Sequence, residues 1–336
     1  MRDEILAALQ RGVSAAGAEA LSIALFHWQR RQNPVYAAMT VLADGRDPDP
    51  QRRDEIPAVP VTLFKELPLR AFVGAPGRVF FTSGTTGSSR GCHALLDTRV
   101  YDAAAAKHFA ARAPAVPEHT VSLCPPGAGD SSLGHMVARF AERSGGGLVQ
   151  AFTDEGVLQT TFQALDRPTF LAATAFALDA LFQLPGEAHL GADSLVMVTG
   201  GFKGRRVRLD SRELYAELPR RLGCPRVIGE YGMTELCSQL WTDPVAAGVA
   251  PDVFVAPPWL HVYAVDPVTA LPVPGEGLLR FVDLANTDSV VAIETMDLGV
   301  VEHSAEGDRV CLKGRATSAE LRGCSLRAED LLRRGS

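Results

Sequence analysis

Thr82-Ser83-Gly84-Thr85-Thr86-Gly87-Ser88-Ser89-Arg90 crowds six hydroxyls and two glycines together and closes on a cation. Glycine lets backbone amides come close to an anion, and hydroxyls and a guanidinium add donors. That combination suits a polyphosphate. No Lys-Ser or Lys-Thr pair closes the stretch, which separates it from the Gly-Lys-Ser/Thr loop of ordinary nucleotide hydrolases. The preceding run Val79-Phe80-Phe81 reads as a buried strand, so a plain Ser/Gly-rich turn after a strand is the alternative.

Two more glycine-rich turns follow apolar runs. One is Thr199-Gly200-Gly201, a place for close backbone approach. The other is Glu230-Tyr231-Gly232-Met233-Thr234-Glu235. Together the three turns could hold a nucleotide, with Tyr231 stacking on a base, Thr234 bonding a phosphate and Glu235 holding Mg²⁺. Taken singly, Gly200-Gly201 is a turn, Tyr231 a core ring and Glu235 a solvated carboxylate. His93 follows the first loop and suits either contact with phosphate or a substrate carboxylate, or a structural place at a helix end.

Those turns need a scaffold. Residues 2–31 look helical, and Asn33-Pro34 and residues 44–53 read as loop. Asp97 can cap an Ala-rich helix over 98–113. A short strand over 121–124 is followed by a helix over 131–143, stopped by Gly145-Gly146-Gly147. Strands at 170–172 and 194–199 flank a helix near 174–184. Asp210 and Glu213 sketch a capping box for a helix ending near Pro219, and 226–229 is the next strand. Strands alternating with helices indicate a mainly parallel α/β sheet, with ligands beyond the carboxyl ends of its strands. From about Thr242 the character changes. Apolar runs at 260–265, 277–282, 290–293 and 310–312 predict a small antiparallel β region.

The 336 residues are 46% hydrophobic and 21% charged, a globular composition, and the net charge of −6 gives no support for a nucleic-acid or anionic-membrane partner. No opening signal peptide is expected, and the longest apolar segment, 170–184, is too short to span a bilayer and contains Asp179. The six cysteines form no Cys-x-x-Cys pair. A reduced, cytoplasmic enzyme is the simplest expectation.

Read in order, four motifs resemble the signatures of the adenylate-forming superfamily. They are the loop 82–90, Tyr231-Gly232-Met233-Thr234-Glu235, Thr295-Met296-Asp297-Leu298-Gly299 and Gly314-Arg315. The resemblance implies that Asp297 and Arg315 meet the ribose of ATP. Met296 replaces a usual glycine, and Ser89-Arg90 stands where Pro-Lys is usual, which keeps the cation but not a lysine amine. A narrower resemblance, over about 58–331, is to the acyl-protein synthetase family of the LuxE type. It rests on Phe64-Lys65, Ser131-Ser132-Leu133, Thr199-Gly200-Gly201-Phe202-Lys203-Gly204-Arg205, Ser238-Gln239, Asp283-Leu284-Ala285-Asn286 and Glu320-Leu321-Arg322-Gly323-Cys324-Ser325-Leu326.

This resemblance implies the N-terminal domain of an adenylate-forming enzyme: mainly parallel α/β sheets plus a small antiparallel β subdomain, and no mobile C-terminal domain. Its expected parts are an α/β adenylation core at 1–241, a β subdomain of the same domain at 242–312, and a tail at 313–336 carrying Cys324. The implied reaction takes a carboxylic acid, expected to be a fatty acid, through acyl-AMP to a thioester on Cys324, then to a reductase or carrier protein. The implied cofactors are ATP and Mg²⁺, and the implied catalytic set is Cys324, Arg90, Thr234, Glu235 and His93. Arg322 and Arg327 flank Cys324 and would favour its thiolate. Two other readings stand beside this one. One is a ligase that delivers acyl-AMP directly to a carrier, CoA or an amine. The other is a non-catalytic nucleotide-binding subunit of a reductase complex.

Overall fold

The computed structural model describes residues 1–41, 45–82, 90–113, 115–124, 129–151, 164–165, 167–183, 189–200, 211–223, 226–242, 253–304 and 307–316. The chain divides into two compact units. The first comprises Met1–Lys107, Met233–Ser238 and the described residues from Val255 onward. The second comprises His108–Gly232 and the described residues of Gln239–Phe254.

In the first unit, the single helix expected over 2–31 is two helices, Arg2–Arg11 and Ala15–Gln32. Gly12 has φ +93°, which ends the first helix, and the Ser14 hydroxyl accepts from the Gly17 amide to cap the second. Arg2 pairs with Asp97 and with Asp288 (2.9 Å), tying the first helix to the unit. Asp97 also accepts from the Arg99 amide (2.9 Å), at the start of the expected Ala-rich helix, Arg99–Arg112.

The antiparallel region is a meander of four strands: Leu260–Val265, Gly277–Asp283, Ala292–Glu302 and Arg309–Arg315. Val59–Pro60 adds a short parallel partner to the third strand. Val262, Leu279, Phe281, Val282, Ala292 and Ile293 are fully buried. The third strand is far longer than its apolar run at 290–293, because Asp297–Glu302 pair with the fourth strand, and Leu298 and Gly299 pair with the second strand as well.

Val79-Phe80-Phe81 is a strand, but not one of the parallel sheet. Arg78–Phe81 pairs antiparallel with Cys92–Leu95 as a two-stranded hairpin. A parallel pair needs a crossover of a dozen or more residues, and the ten residues between these strands are too few. Only Phe80 of the run is fully buried; Phe81 is exposed.

The second unit is the parallel α/β part. Its sheet order is 240–242, 227–231, 195–199, 169–174, 119–123 and 148–150, all parallel except the 240–242 strand. Ser131 and Thr174 cap the helices Ser132–Arg143 and Ala175–Leu181 through their hydroxyls. The helix Ser211–Leu222 runs through Pro219 instead of ending there. Leu214, Leu218 and Leu222 are fully buried, and this stripe outweighs one lost backbone hydrogen bond. Its expected cap, Asp210, lies outside the described residues. Phe140 and Phe170 pack in the core with Phe109 and Trp241. Phe109 stacks on Phe140 at 4.2 Å between centroids and lies 4.9 Å from Trp241. Among the described residues, no helix is long and apolar enough to cross a membrane.

Phe109→Ala should therefore destabilise the protein by about 3–5 kcal/mol, the usual cost of truncating a buried aromatic. The measurement is the urea midpoint with the slope checked for constancy; a change below about 1 kcal/mol would contradict this packing.

Candidate functional site

In the chain, the hydroxyl-rich stretch connects the two hairpin strands. Ser83, Gly84, Thr85, Thr86 and Gly87 lie outside the described residues, but both ends of the loop are described. Thr82 and Gly91 close its base, with the Thr82 amide donating to the Gly91 carbonyl (2.9 Å) and the Gly91 amide to Thr82 Oγ1 (2.9 Å). Arg90 reinforces this closure. Its Nε donates to the Thr82 carbonyl at 2.8 Å, and its guanidinium lies 5.1 Å from the Phe81 ring centroid.

His93 stands on the second hairpin strand with 1% of its surface exposed. Nδ1 lies 2.7 Å from the Thr234 carbonyl oxygen and Nε2 2.8 Å from Ser289 Oγ. A carbonyl only accepts, so Nδ1 carries the proton and Nε2 accepts from the serine hydroxyl. Burial pulls the imidazole pKa down to about 4, so the ring is neutral near pH 7. His93 thus joins the hairpin to a segment 141 residues away. A second, weaker tie runs from Thr234 Oγ1 to the Phe81 carbonyl at 3.5 Å.

The Thr234–Ser238 segment is held from its other side by the run Asp283-Leu284-Ala285-Asn286. Asp283 accepts from the Cys237 amide (3.1 Å), the Ser238 amide (2.9 Å), the Ser238 hydroxyl (2.7 Å) and the Ala285 amide (2.9 Å). Asn286 donates to the Glu235 carbonyl (2.9 Å) and accepts from the Cys237 amide (2.8 Å). Gln29 in turn grips the Asn286 carbonyl (2.6 Å) and the Val291 amide (2.8 Å). Burial raises the Asp283 pKa to about 6, against the hydrogen bonds that favour its anion. Glu235 itself is buried.

Asp297 and Arg315, the two residues expected at a ribose, are brought together. They face one another in register on adjacent strands, and Arg315 Nε donates to Asp297 Oδ1 at 3.1 Å. Thr295 Oγ1 accepts from the Asp297 amide (3.0 Å). Gly314 has φ +135°, a conformation that side-chain-bearing residues rarely adopt, and it sets the approach of Arg315.

In the second unit, Gly200, Tyr231 and Gly232 lie at the carboxyl ends of adjacent parallel strands, where such sheets bind ligands. Gly200 turns the chain with φ +68°. Tyr231 is half-buried, 6.0 Å from the Phe254 ring. A Cβ on Gly232 would come within 2.3 Å of Glu230 Oε1. Glu230 is buried and its carboxylate is hydrogen-bonded by the Thr199 hydroxyl.

The structure therefore gathers Thr82, Arg90, His93 and Thr234, with Glu235 next in the chain, into one connected set. It pairs Asp297 with Arg315, and it places Gly200, Tyr231 and Gly232 in the other unit. Gly201 and Cys324 lie outside the described residues. Among the described cysteines, burial raises Cys124 to about 12 and Cys237 well above the ordinary value, so both stay as inert thiols. Residue-type reasoning assigned no role to Asp283, Asn286 or Ser289. The polar run Asn286-Thr287-Asp288-Ser289 is at most 3% exposed.

No protein-family model matches this chain, and no curated protein does. Solved structures match its fold. A 2-hydroxyisobutyryl-CoA ligase in complex with 2-HIB-AMP and CoA, in the thioesterification state, gives a TM-score of 0.62 at 13% identity, over 94% of this chain and 68% of that one. Its open conformation gives 0.60 at 13% identity, over 94% and 69%. The ATP-bound RpMatB-BxBclM chimera B3 gives 0.51 at 19% identity, over 73% of this chain and 50% of that one. The matched region thus spans about half the length of that chimera. At the level of fold, the chain shares its architecture with these ligase structures.

The neutral His93 makes a signed prediction. Its folded pKa is depressed, so its contribution to stability is complete above about pH 6.5 and is lost as pH falls toward 4. Asp283 and Asp288, both raised by burial, act with the opposite sign, so the comparison must be with a variant that keeps them. The stability advantage of the wild type over His93→Gln should shrink from pH 6.5 downward by up to about 1.4 kcal/mol per pH unit. Urea unfolding across that range measures it; a pH-independent difference would refute a neutral buried ring.

Proposed function

We propose that this protein activates a carboxylic acid as its acyl adenylate, using ATP and releasing pyrophosphate. The observation that carries this reading is the His93 bridge. It fastens the base of the phosphate-type loop to Thr234, beside Glu235, on an adenylate-forming fold. The ATP of one solved neighbour and the acyl-AMP and CoA of another belong to those proteins, and they support the same class of chemistry here.

The substrate carboxylate attacks the α-phosphorus of ATP, the bond to the β-phosphate oxygen breaks, and pyrophosphate leaves. Thr82, Ser83, Gly84, Thr85, Thr86 and Gly87 cradle the departing phosphates, with Thr234 as a further donor. Arg90 locks the base of this cradle and adds positive charge beside it. Asp297 takes the ribose hydroxyls and Arg315 sits against it, while Tyr231 stacks on the base between the backbone turns at Gly200-Gly201 and Gly232. His93 acts through Thr234 by fixing its peptide, and the buried neutral ring is not a proton carrier near pH 7. A carboxylate oxygen on Glu235 is a donor of the hard type that Mg²⁺ takes, and the ion would neutralise phosphate charge there.

In the second step the Cys324 thiolate attacks the acyl carbonyl, AMP leaves, and a thioester forms. A fatty acid and an acyl-accepting reductase or carrier complete this LuxE-type reading. Cytoplasmic, thiol-reducing surroundings suit it, because the step needs a free thiol.

Intact-mass measurement after incubation with Mg-ATP and short to long straight-chain acids tests the scheme. The expected result is a hydroxylamine-sensitive acyl adduct that Cys324→Ala abolishes. Pyrophosphate release without an adduct would instead indicate direct delivery to CoA, a carrier or an amine. ATP binding without either would indicate a non-catalytic nucleotide-binding subunit. Asp297→Ala should raise KM for ATP roughly 10- to 100-fold, since hydrogen bonds to a charged group contribute about 1.5–3 kcal/mol. An unchanged KM would remove Asp297 from the ribose.

A further inference from the structure

The antiparallel meander carries a side-chain group that the adenylation scheme does not use. His261 lies on the strand Leu260–Val265, His303 just past Ala292–Glu302, and Asp308 just before Arg309–Arg315. One potential ligand atom from each lies within 4.8 Å of the others. The Asp308 carboxylate sits between the rings, with Oδ2 2.8 Å from His261 Nδ1 and Oδ1 2.7 Å from His303 Nδ1. Backbone holds it in place: the Val262 amide donates to Oδ2 (2.8 Å), and the Ala256 amide to the Asp308 carbonyl (2.8 Å). The two imidazoles lie nearly face to face, 5.4 Å apart at 29°. The Asp308 and His261 side chains are 11% and 16% exposed, but His303 is 59% exposed, so the cluster opens to solvent on that side.

We propose that His261, His303 and Asp308 form a binding site for one divalent transition-metal ion, with zinc the best match. Two imidazole nitrogens and one carboxylate oxygen are borderline donors that suit zinc, whereas Mg²⁺ and Ca²⁺ favour all-oxygen shells. Three protein ligands with one exposed edge leave the fourth position to water. Metal–ligand bonds of ~2.0–2.2 Å in a tetrahedron put neighbouring donors ~3.3 Å apart. The 2.7 Å separation from Asp308 Oδ1 must open by about half an ångström, which rotation of the exposed His303 can supply, and the 2.8 Å separation of His261 from Oδ2 must open by a similar shift of the Asp308 carboxylate or the His261 ring.

The protons are accounted for. Each Nδ1–H now points at Asp308. On metal binding a neutral ring carries its proton on Nε2 instead, and an imidazolium releases one proton to solvent. Arg53 adds positive charge near Asp308, partly offset by Glu19 and Asp54. His303 and Asp308 flank the turn between two strands whose other ends pair Asp297 with Arg315, so a bound ion clamps that register.

The test uses the full chain, purified without a polyhistidine tag and stripped with chelator. Zn²⁺ is titrated against a chromophoric indicator at about pH 7.5, above the ordinary imidazole value, and Co²⁺ serves as the spectroscopic probe. The expected result is one Zn²⁺ per chain. Removal of a direct ligand in His303→Ala should weaken binding by more than about tenfold. The Co²⁺ complex should show tetrahedral d–d absorption without a sulfur charge-transfer band. His303 is exposed, so its variant should keep the wild-type circular dichroism, and His261→Gln provides a second ligand deletion. Failure of the wild type to bind Zn²⁺ would leave a proton-only clasp and overturn the proposal. So would unchanged binding in both variants, or a sulfur charge-transfer band. None of these outcomes depends on acyl-adenylate formation.

Discussion

Buried irregular backbone must find hydrogen-bond partners, and the Thr234–Ser238 segment is where this protein meets that demand. Water would satisfy these peptide groups at the surface; inside, each orphaned group costs about 1–3 kcal/mol. Asp283 and Asn286 from one stretch of chain and His93 from another supply the partners. The same bonds fix where the Thr234 hydroxyl and Glu235 stand. Stability and site geometry therefore rest on one polar network, and polar side chains are tolerated in the core because they are paired.

The remaining site groups are positioned by strand register. Asp297 and Arg315 are seventeen residues apart along the chain by intervening count, yet they face one another because the meander pairs their strands antiparallel. Positive φ at Gly314 lets the second strand accommodate the irregular register beside Leu298 and Gly299. In the second unit, parallel register puts Thr199 opposite Glu230 at the strand ends, directly ahead of Gly200 and Tyr231. Side chains on strands are held more firmly than side chains on loops, and Asp297 and Tyr231 are mounted on strands.

Much of this was legible in the chain. The alternation of apolar runs with capped helices gave the parallel sheet around Val121, Leu171, Val196 and Val227, and Ser131 and Thr174 act as the caps their types suggest. The apolar runs at 260–265, 277–282, 290–293 and 310–312 marked the antiparallel part. Less legible was the hairpin beneath the hydroxyl-rich loop. Val79-Phe80-Phe81 has the composition of a central strand, and only the short return to Cys92 shows that it must pair antiparallel. Pro219 misled as a stop signal, because the buried leucine stripe around it carries more free energy than the broken hydrogen bond.

By itself, the sequence determined the elements, the order of the motifs and the residue types able to grip phosphate and ribose. Those are local properties, set by periodicity, turn chemistry and side-chain donors. Only the tertiary structure decided that His93 is a buried neutral bridge, that Arg90 closes the loop base, and that Asp283 to Ser289 form an interior network. Each of these depends on a partner more than forty residues away or on removal from water, except Arg90, whose partner is the opposite end of its own loop. Burial and long-range pairing are properties of the packed chain, and no spacing along the sequence encodes them directly.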